Sequence, residues 1–171
     1  MASPNRLQRT LSRLDLLPGV LRTAARTFAL RRAVPFTGTA GLEFAVLTVD
    51  QSEIRVANKR QVHNHIGGVH AAAMALLAET ASGMVVGMNV RDDCLPLCKT
   101  RRVRVRKRST GGLTAKASLS GEQRSQMAIE TKGEVVVPVT VTDEAGEQPI
   151  ECEFVWAWIP KDQLNNGRKE S

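Results

Sequence analysis

The sequence contains no tyrosine, and aromatic residues make up only 4% of its 171 positions. Proteins that bind single-stranded nucleic acids stack the bases on aromatic side chains, so this scarcity disfavours a nucleic-acid partner. The chain nevertheless has 24 Lys and Arg residues against 17 Asp and Glu residues, a balance that attracts anions. A basic nucleic-acid binder therefore stays open as an alternative, and salt-sensitive binding to bare oligonucleotides would reveal it.

Cysteines are few, and they form no recognisable pattern. The three thiols are an odd number and contain no Cys-x-x-Cys pair, which favours free cysteines in a reducing compartment. No metal site is predicted, because the residues that could bind zinc follow no zinc spacing: His63, His65, His70, Cys94 and Cys98. A Ser-His-Asp hydrolase is also disfavoured, since the sequence lacks a Gly-x-Ser-x-Gly elbow.

Only one apolar run is long enough to cross a membrane, over residues 69–90. A run of about 20 residues makes a helix of about 30 Å. Glu79 lies near its middle, and a carboxylate at that depth costs about 2.5–3.5 kcal/mol on insertion scales. The sequence therefore predicts a helix buried inside a folded domain, and no transmembrane segment.

The N-terminal residues 1–34 are rich in arginine and predict a basic helical segment, broken at Pro18-Gly19. An alternative interpretation is a mitochondrial presequence, which has a similar composition. We accordingly predict a cytoplasmic protein, with the mitochondrial matrix as the alternative.

The rest of the chain indicates an α+β domain over residues 35–160, followed by a polar tail over 161–171. A hairpin is predicted from residues 42–49 and 54–57, before the long helix. Further strands are predicted over 97–108, 113–120, 127–141 and 150–159, separated by Gly-rich or polar turns. A helix that is apolar on all sides requires a curved antiparallel sheet wrapped around it, which is the hotdog fold.

Residues 64–83 resemble the signature of hotdog thioesterases of the phenylacetate-degradation type. In that family an asparagine precedes a His-Gly-Gly helix start, and an acidic residue follows within the helix. Here Asn64 stands six residues before His70 and fifteen before Glu79, as in the family. The chain departs from the pattern in having Ala71-Ala72 for Gly-Gly and Glu for Asp.

The resemblance implies an acyl-CoA thioesterase that acts as a homodimer or tetramer, with no cofactor except the coenzyme A of its substrate. The Asn64 amide and the Ala71 N–H would polarise the thioester carbonyl. Glu79 would activate water and would reach the donor set of the other subunit. Gly68 and His70 would contact the substrate at the helix start.

Glu79 has a competing structural interpretation, as a carboxylate bonded to a strand arginine such as Arg102 or Arg104. No Lys or Arg lies within one helical turn of it, so an ion pair along the helix is excluded.

Alternating arginines over residues 101–108 predict a strand with one basic face, and guanidinium groups suit the phosphates of coenzyme A. The residues expected there are Arg102, Arg104 and Arg106, and Arg108 continues the row. A solvated basic edge that discourages aggregation is the alternative. Two further functions also stay open at this stage: a non-catalytic acyl-CoA or lipid-binding hotdog module, and a dehydratase of the same fold.

Overall fold

The structure is a computed structural model, and it describes residues 3–163. The predicted tail over 161–171 therefore lies mostly outside the described residues. The helices are α1 (Arg6–Ser12), α2 (Gly19–Ala33), α3 (Pro35–Thr39), α4 (Ala71–Gly87) and α5 (Gly121–Ile129), with 3-10 turns at Arg13–Leu16 and Arg60–Val62. The strands are β1 (Glu43–Leu47), β2 (Gln51–Val56), β3 (Cys94–Val105), β4 (Leu113–Ser118), β5 (Gly133–Val137), β6 (Val139–Asp143) and β7 (Ile150–Pro160).

The long helix α4 lies inside an antiparallel sheet, as the sequence predicts. The strands form a four-stranded sheet, ordered β1-β2-β4-β6, and a three-stranded sheet, ordered β3-β7-β5. Helix α4 contacts strands of both. Leu77, Ala78 and Ala81 are completely buried at its centre. Removing such apolar side chains from water is the main favourable term in folding, which explains why this helix occupies the core.

Close packing between α4 and β7 depends on a glycine. A Cβ built on Gly83 would lie 2.7 and 2.8 Å from ring carbons of Trp156, closer than real side-chain contacts. The Trp156 indole N–H also donates to Ser82 Oγ at 2.9 Å, which fixes the ring against the helix. Trp158, two residues further on, is fully buried.

One predicted strand is wrong. Residues 127–141 form the end of α5, then β5 and β6. Ser120 and Gln123 form a capping box that starts α5: Ser120 Oγ accepts from the Gln123 N–H at 3.1 Å, and Gln123 Oε1 accepts from the Ser120 N–H at 2.9 Å. Pro138 then separates β5 from β6, which belong to different sheets. Proline lacks an N–H group and cannot donate a hydrogen bond to a neighbouring strand, so the pairing is interrupted there.

The edges formed by β1 and β3 differ. Helix α2 covers the edge of β1: the Arg26 side chain donates to the carbonyls of Phe44, at 2.9 Å, and Ala45, while Thr27 Oγ1 accepts from the Phe44 N–H at 3.0 Å. Strand β3 pairs only with β7 among residues 3–163, and its other edge has no strand partner there. An open edge of twelve residues is a ready surface for pairing with another chain.

Candidate functional site

A hydrogen-bonded loop places Asn64 shortly before α4. Its Oδ1 accepts the backbone N–H groups of Ile66 and Gly68, each at 3.0 Å, and its own N–H donates to the Gly68 carbonyl at 2.8 Å. Gly67 adopts a φ of 77°, a left-handed conformation that glycine accepts without strain. Since Oδ1 is held by two amides, the Nδ2 amide of Asn64 is the part of the side chain left to donate outward.

The start of α4 supplies a second donor. His70 is the N-cap residue, and its Nδ1 accepts the Ala72 N–H at 3.0 Å. The Ala71 N–H has no hydrogen-bond partner within the part of the chain that the structure describes. Free amides at a helix N-terminus, where the helix dipole is positive, stabilise negative charge on a nearby oxygen. The replacement of Gly-Gly by Ala71-Ala72 therefore leaves the backbone donor in place.

A cavity of about 230 Å³ opens beside this helix start. Its walls come from α3, from the segment that precedes Asn64, and from the first two turns of α4; they include Phe36, Val62, His70, Ala73 and Leu76. Polar groups at one end and apolar side chains along the wall are typical of a small-ligand pocket. Leu77 and Met88, further along the chain, are buried in the core and do not line this cavity.

Glu79 lies about two helical turns beyond these donors along α4, on a different side of the helix. Its carboxylate forms an ion pair with Arg101 of β3 at 2.5 Å, and 29% of its side chain is exposed. The expected structural partners, Arg102 and Arg104, are wrong: alternation along β3 turns them to the face opposite Arg101. Glu79 thus lies at the surface between α4 and β3, beside the open strand edge.

Cys98, in the first half of β3, is a thiol that the Glu79 carboxylate influences. Burial, and after it the Glu79 carboxylate, raises the pKa of Cys98. A thiol with a raised pKa is a poor nucleophile at neutral pH, because the thiolate is the reactive form. The carboxylate of Glu79 is therefore the stronger candidate for chemistry in this region.

The basic face of β3 is partly neutralised by its neighbour β7. Arg106 pairs with Glu151 at 2.5 Å, and Arg102 lies 3.7 Å from Glu153. Arg104 forms no ion pair within residues 3–163 and lines an open depression together with Arg102, Glu151 and Glu153. Of the predicted phosphate-binding arginines, Arg104 is thus the one that forms no ion pair of its own among the described residues, although Glu151 stands opposite it on β7.

The structure brings one residue to the Asn64 loop that the sequence does not suggest. Ser109 is 6% exposed, and its Oγ has no hydrogen-bond partner among residues 3–163. A Cβ placed on Gly68 would lie 3.8 Å from Ser109 Oγ and 3.7 Å from Asn64 Nδ2, so both groups border the same side of Gly68. No motif marks Ser109, which is 45 positions after Asn64; only the folded chain brings the two together.

Comparisons with known proteins agree with this fold. A family model described as "Domain of unknown function (DUF4442)" matches residues 22–159. A solved Pseudomonas aeruginosa structure, described as a protein of unknown function and probable thioesterase, is 25% identical with a TM-score of 0.73; the match covers 84% of this chain and 97% of that one. No curated protein sequence matches the chain.

Two more distant structures show the same fold. A Haemophilus influenzae thioesterase is 14% identical, with a TM-score of 0.60 over 72% of this chain and 82% of its own. A Staphylococcus aureus thioesterase is 15% identical, with a TM-score of 0.63 over 73% and 98%. The predicted α+β hotdog fold is confirmed, as is the resemblance to hotdog thioesterases. Within residues 3–163, no helix is both long and apolar enough to span a bilayer.

Proposed function

Because the chain belongs to the DUF4442 family, whose description assigns no activity, we propose from its site that it hydrolyses acyl-CoA thioesters. The observation that carries the proposal is the pair of free donors at one helix start, the Asn64 Nδ2 amide and the Ala71 N–H. His70 and Ala72 of the same helix start line the cavity that we propose for the acyl group. Glu79 supplies the carboxylate. The helix start is built to bind an oxygen that becomes negative, as hydrolysis of a thioester requires.

The reaction follows from these groups. The thioester carbonyl oxygen accepts from Asn64 Nδ2 and the Ala71 N–H, and Glu79 removes a proton from water as the water oxygen bonds to the carbonyl carbon. The tetrahedral intermediate then expels the sulfur of coenzyme A. The proton held by Glu79 passes to that sulfur, which leaves a carboxylic acid, a free thiol and the original carboxylate.

The proposed site needs two subunits. Glu79 follows Ala71 by eight positions, which places them about 12 Å apart along the axis of α4. One chain therefore cannot bring its own Glu79 to its own donors. Pairing of two β3 strands across the open edge would bring Glu79 of one subunit towards the donors of the other, whereas α2 blocks pairing through β1. A homodimer, or a tetramer of such dimers, is the assembly that we propose.

Arg104 is proposed to bind a phosphate of coenzyme A. Replacing it with Gln should raise KM for acyl-CoA about tenfold and leave kcat nearly unchanged, because a lost phosphate contact weakens binding of substrate and transition state alike. Steady-state kinetics with one acyl-CoA would measure both constants. Arg124→Gln, a charge change on α5, is the matched control, and an equal rise in KM there would remove Arg104 from the site.

Ser109 is proposed to donate a third hydrogen bond at the carbonyl site, beside Asn64. Ser109→Ala should lower kcat about 10- to 100-fold with little loss of stability, since the buried hydroxyl has no partner to lose within residues 3–163. Thermal melting and kcat measured on the same preparation would test this. An unchanged kcat would show that the hydroxyl faces the loop and not the substrate.

The direct test is a screen of purified protein against a panel of short, medium and aryl acyl-CoAs, with release of the free thiol as the readout. Turnover of at least one substrate is expected. Binding of a non-hydrolysable CoA thioester without any turnover would instead identify a non-catalytic acyl-CoA-binding module. We propose the cytoplasm as the compartment, with the mitochondrial matrix as the alternative.

A further inference from the structure

We propose that the outer face of the N-terminal helices binds the surface of an anionic lipid bilayer. We call this surface the N-terminal apolar stripe; it consists of Leu21 and Phe28 on the outer side of α2, together with Leu16 and Val20, which are exposed where the helix begins. Leu16, Val20, Leu21 and Phe28 are 90%, 85%, 57% and 72% exposed, although moving a large apolar side chain out of water lowers the free energy. The inference does not depend on the proposed hydrolase activity.

Helix α2 has its polarity reversed relative to an ordinary surface helix. Its buried residues are Arg26, Thr27 and Leu30, and two of these are polar because they bond the edge of β1. Leu21 and Phe28, seven residues apart, share the opposite side of the helix and face solvent. Covering the sheet edge accounts for the inward side but offers no reason for an apolar outward side.

The charge around the stripe identifies the partner. Seven of the 24 basic residues but only one of the 17 acidic residues fall within residues 1–36, so this segment carries nearly all of the excess positive charge. Arg13 and Arg32 form no ion pair with any of the described residues. Exposed apolar side chains flanked by arginines are the features with which an amphipathic helix lies in the interface of an anionic membrane.

A second copy of the chain fits this surface less well. Two such faces in contact would bring both sets of arginines together, and like charges across an interface are costly. The stripe also lies on the side of α2 that faces away from β1, and a bilayer can accept such a convex surface without a complementary groove.

The stripe leads towards the cavity at the helix start. Val34 and Phe36, which follow α2, are 48% and 64% exposed, and Phe36 also lines the cavity. A bilayer held against the stripe would therefore lie beside the cavity mouth. On the proposed function, this arrangement would favour long acyl thioesters that partition into membranes.

Sedimentation with vesicles tests the proposal, using phosphatidylcholine alone and an equal mixture with phosphatidylglycerol. The wild-type protein should bind the mixed vesicles and release them as salt is raised. Leu21→Ser combined with Phe28→Ser should weaken binding at least about tenfold. The matched control combines Ile129→Ser with Val136→Ser, which changes two other exposed apolar residues, 74% and 52% exposed.

Two double variants test whether vesicle binding requires the positive charge around the stripe. Arg13→Gln with Arg32→Gln should weaken binding about tenfold, while Lys132→Gln with Arg124→Gln should change it little. Wild type that fails to sediment with the mixed vesicles would overturn the proposal. A Leu21/Phe28 variant that binds vesicles like wild type would also overturn it. The same holds if the variant changes only the sedimentation coefficient of the free protein, because the stripe would then join copies of the chain. Hydrolysis of a short, soluble acyl-CoA is measured separately and does not bear on these outcomes.

Discussion

Replacing Glu79 with Gln is expected to lower kcat for acyl-CoA hydrolysis by about 10²- to 10⁴-fold, the range typical of a general base. Gln keeps the size of the side chain and an oxygen that can accept from Arg101, but it cannot take a proton from water. The folded structure should persist, because the Glu79–Arg101 pair is partly exposed to solvent, and ion pairs at the surface contribute about 0–1 kcal/mol. Single-turnover thiol release, together with thermal melting, would measure both effects.

Arg101→Gln is the matched control for this experiment. It breaks the same ion pair from the other side and leaves the Glu79 carboxylate intact, so kcat should change by less than about tenfold. If Arg101→Gln and Glu79→Gln reduce turnover equally, the ion pair and not the base is what matters, and Glu79 is structural. Equal rates for Glu79→Gln and wild type would remove the carboxylate from the mechanism.

Replacing Gly83 with Val is expected to destabilise the protein by about 2–3 kcal/mol. A Cβ at this position would lie 2.7 Å from a ring carbon of Trp156, and valine adds two methyl groups in the same space. The ring cannot easily move away, because its N–H is bonded to Ser82 Oγ. Overpacking of this kind typically costs 1–3 kcal/mol, which would lower Tm by about 2–4 °C for each kcal/mol. Chemical denaturation would measure the free energy of unfolding.

Gly87→Ala provides the control at the end of the same helix. The nearest atom to its Cβ would be a Leu7 methyl carbon at 3.5 Å, an ordinary contact. Alanine is favoured over glycine in helices by about 0.5–1 kcal/mol, so this variant should match or exceed wild-type stability. A Gly83→Val protein as stable as wild type would mean that α4 and β7 can separate without cost.

The sequence predicts most of the elements because local patterns specify them. A helix that is apolar on all sides, as residues 69–90 predict, can be buried completely only where the sheet wraps around it, and α4 lies there. The one clear failure, the strand predicted over 127–141, has a local explanation as well. The alternating apolar residues of this segment favour a strand. The capping box at Ser120 and the break at Pro138, both visible in the sequence, indicate instead a helix followed by two separate strands.

By itself, the sequence determines the spacing of Asn64, His70 and Glu79, the buried central helix and the concentration of arginine near the N-terminus. These are properties of neighbours along the chain, whose separation is fixed by helix and loop geometry. Only the tertiary structure decides that Arg101 pairs with Glu79, that Ser109 reaches the Asn64 loop, and that α2 turns its polar side to β1 and its apolar side to solvent. These arrangements depend on strand order and on which face of each element is buried, and residues far apart in sequence set both.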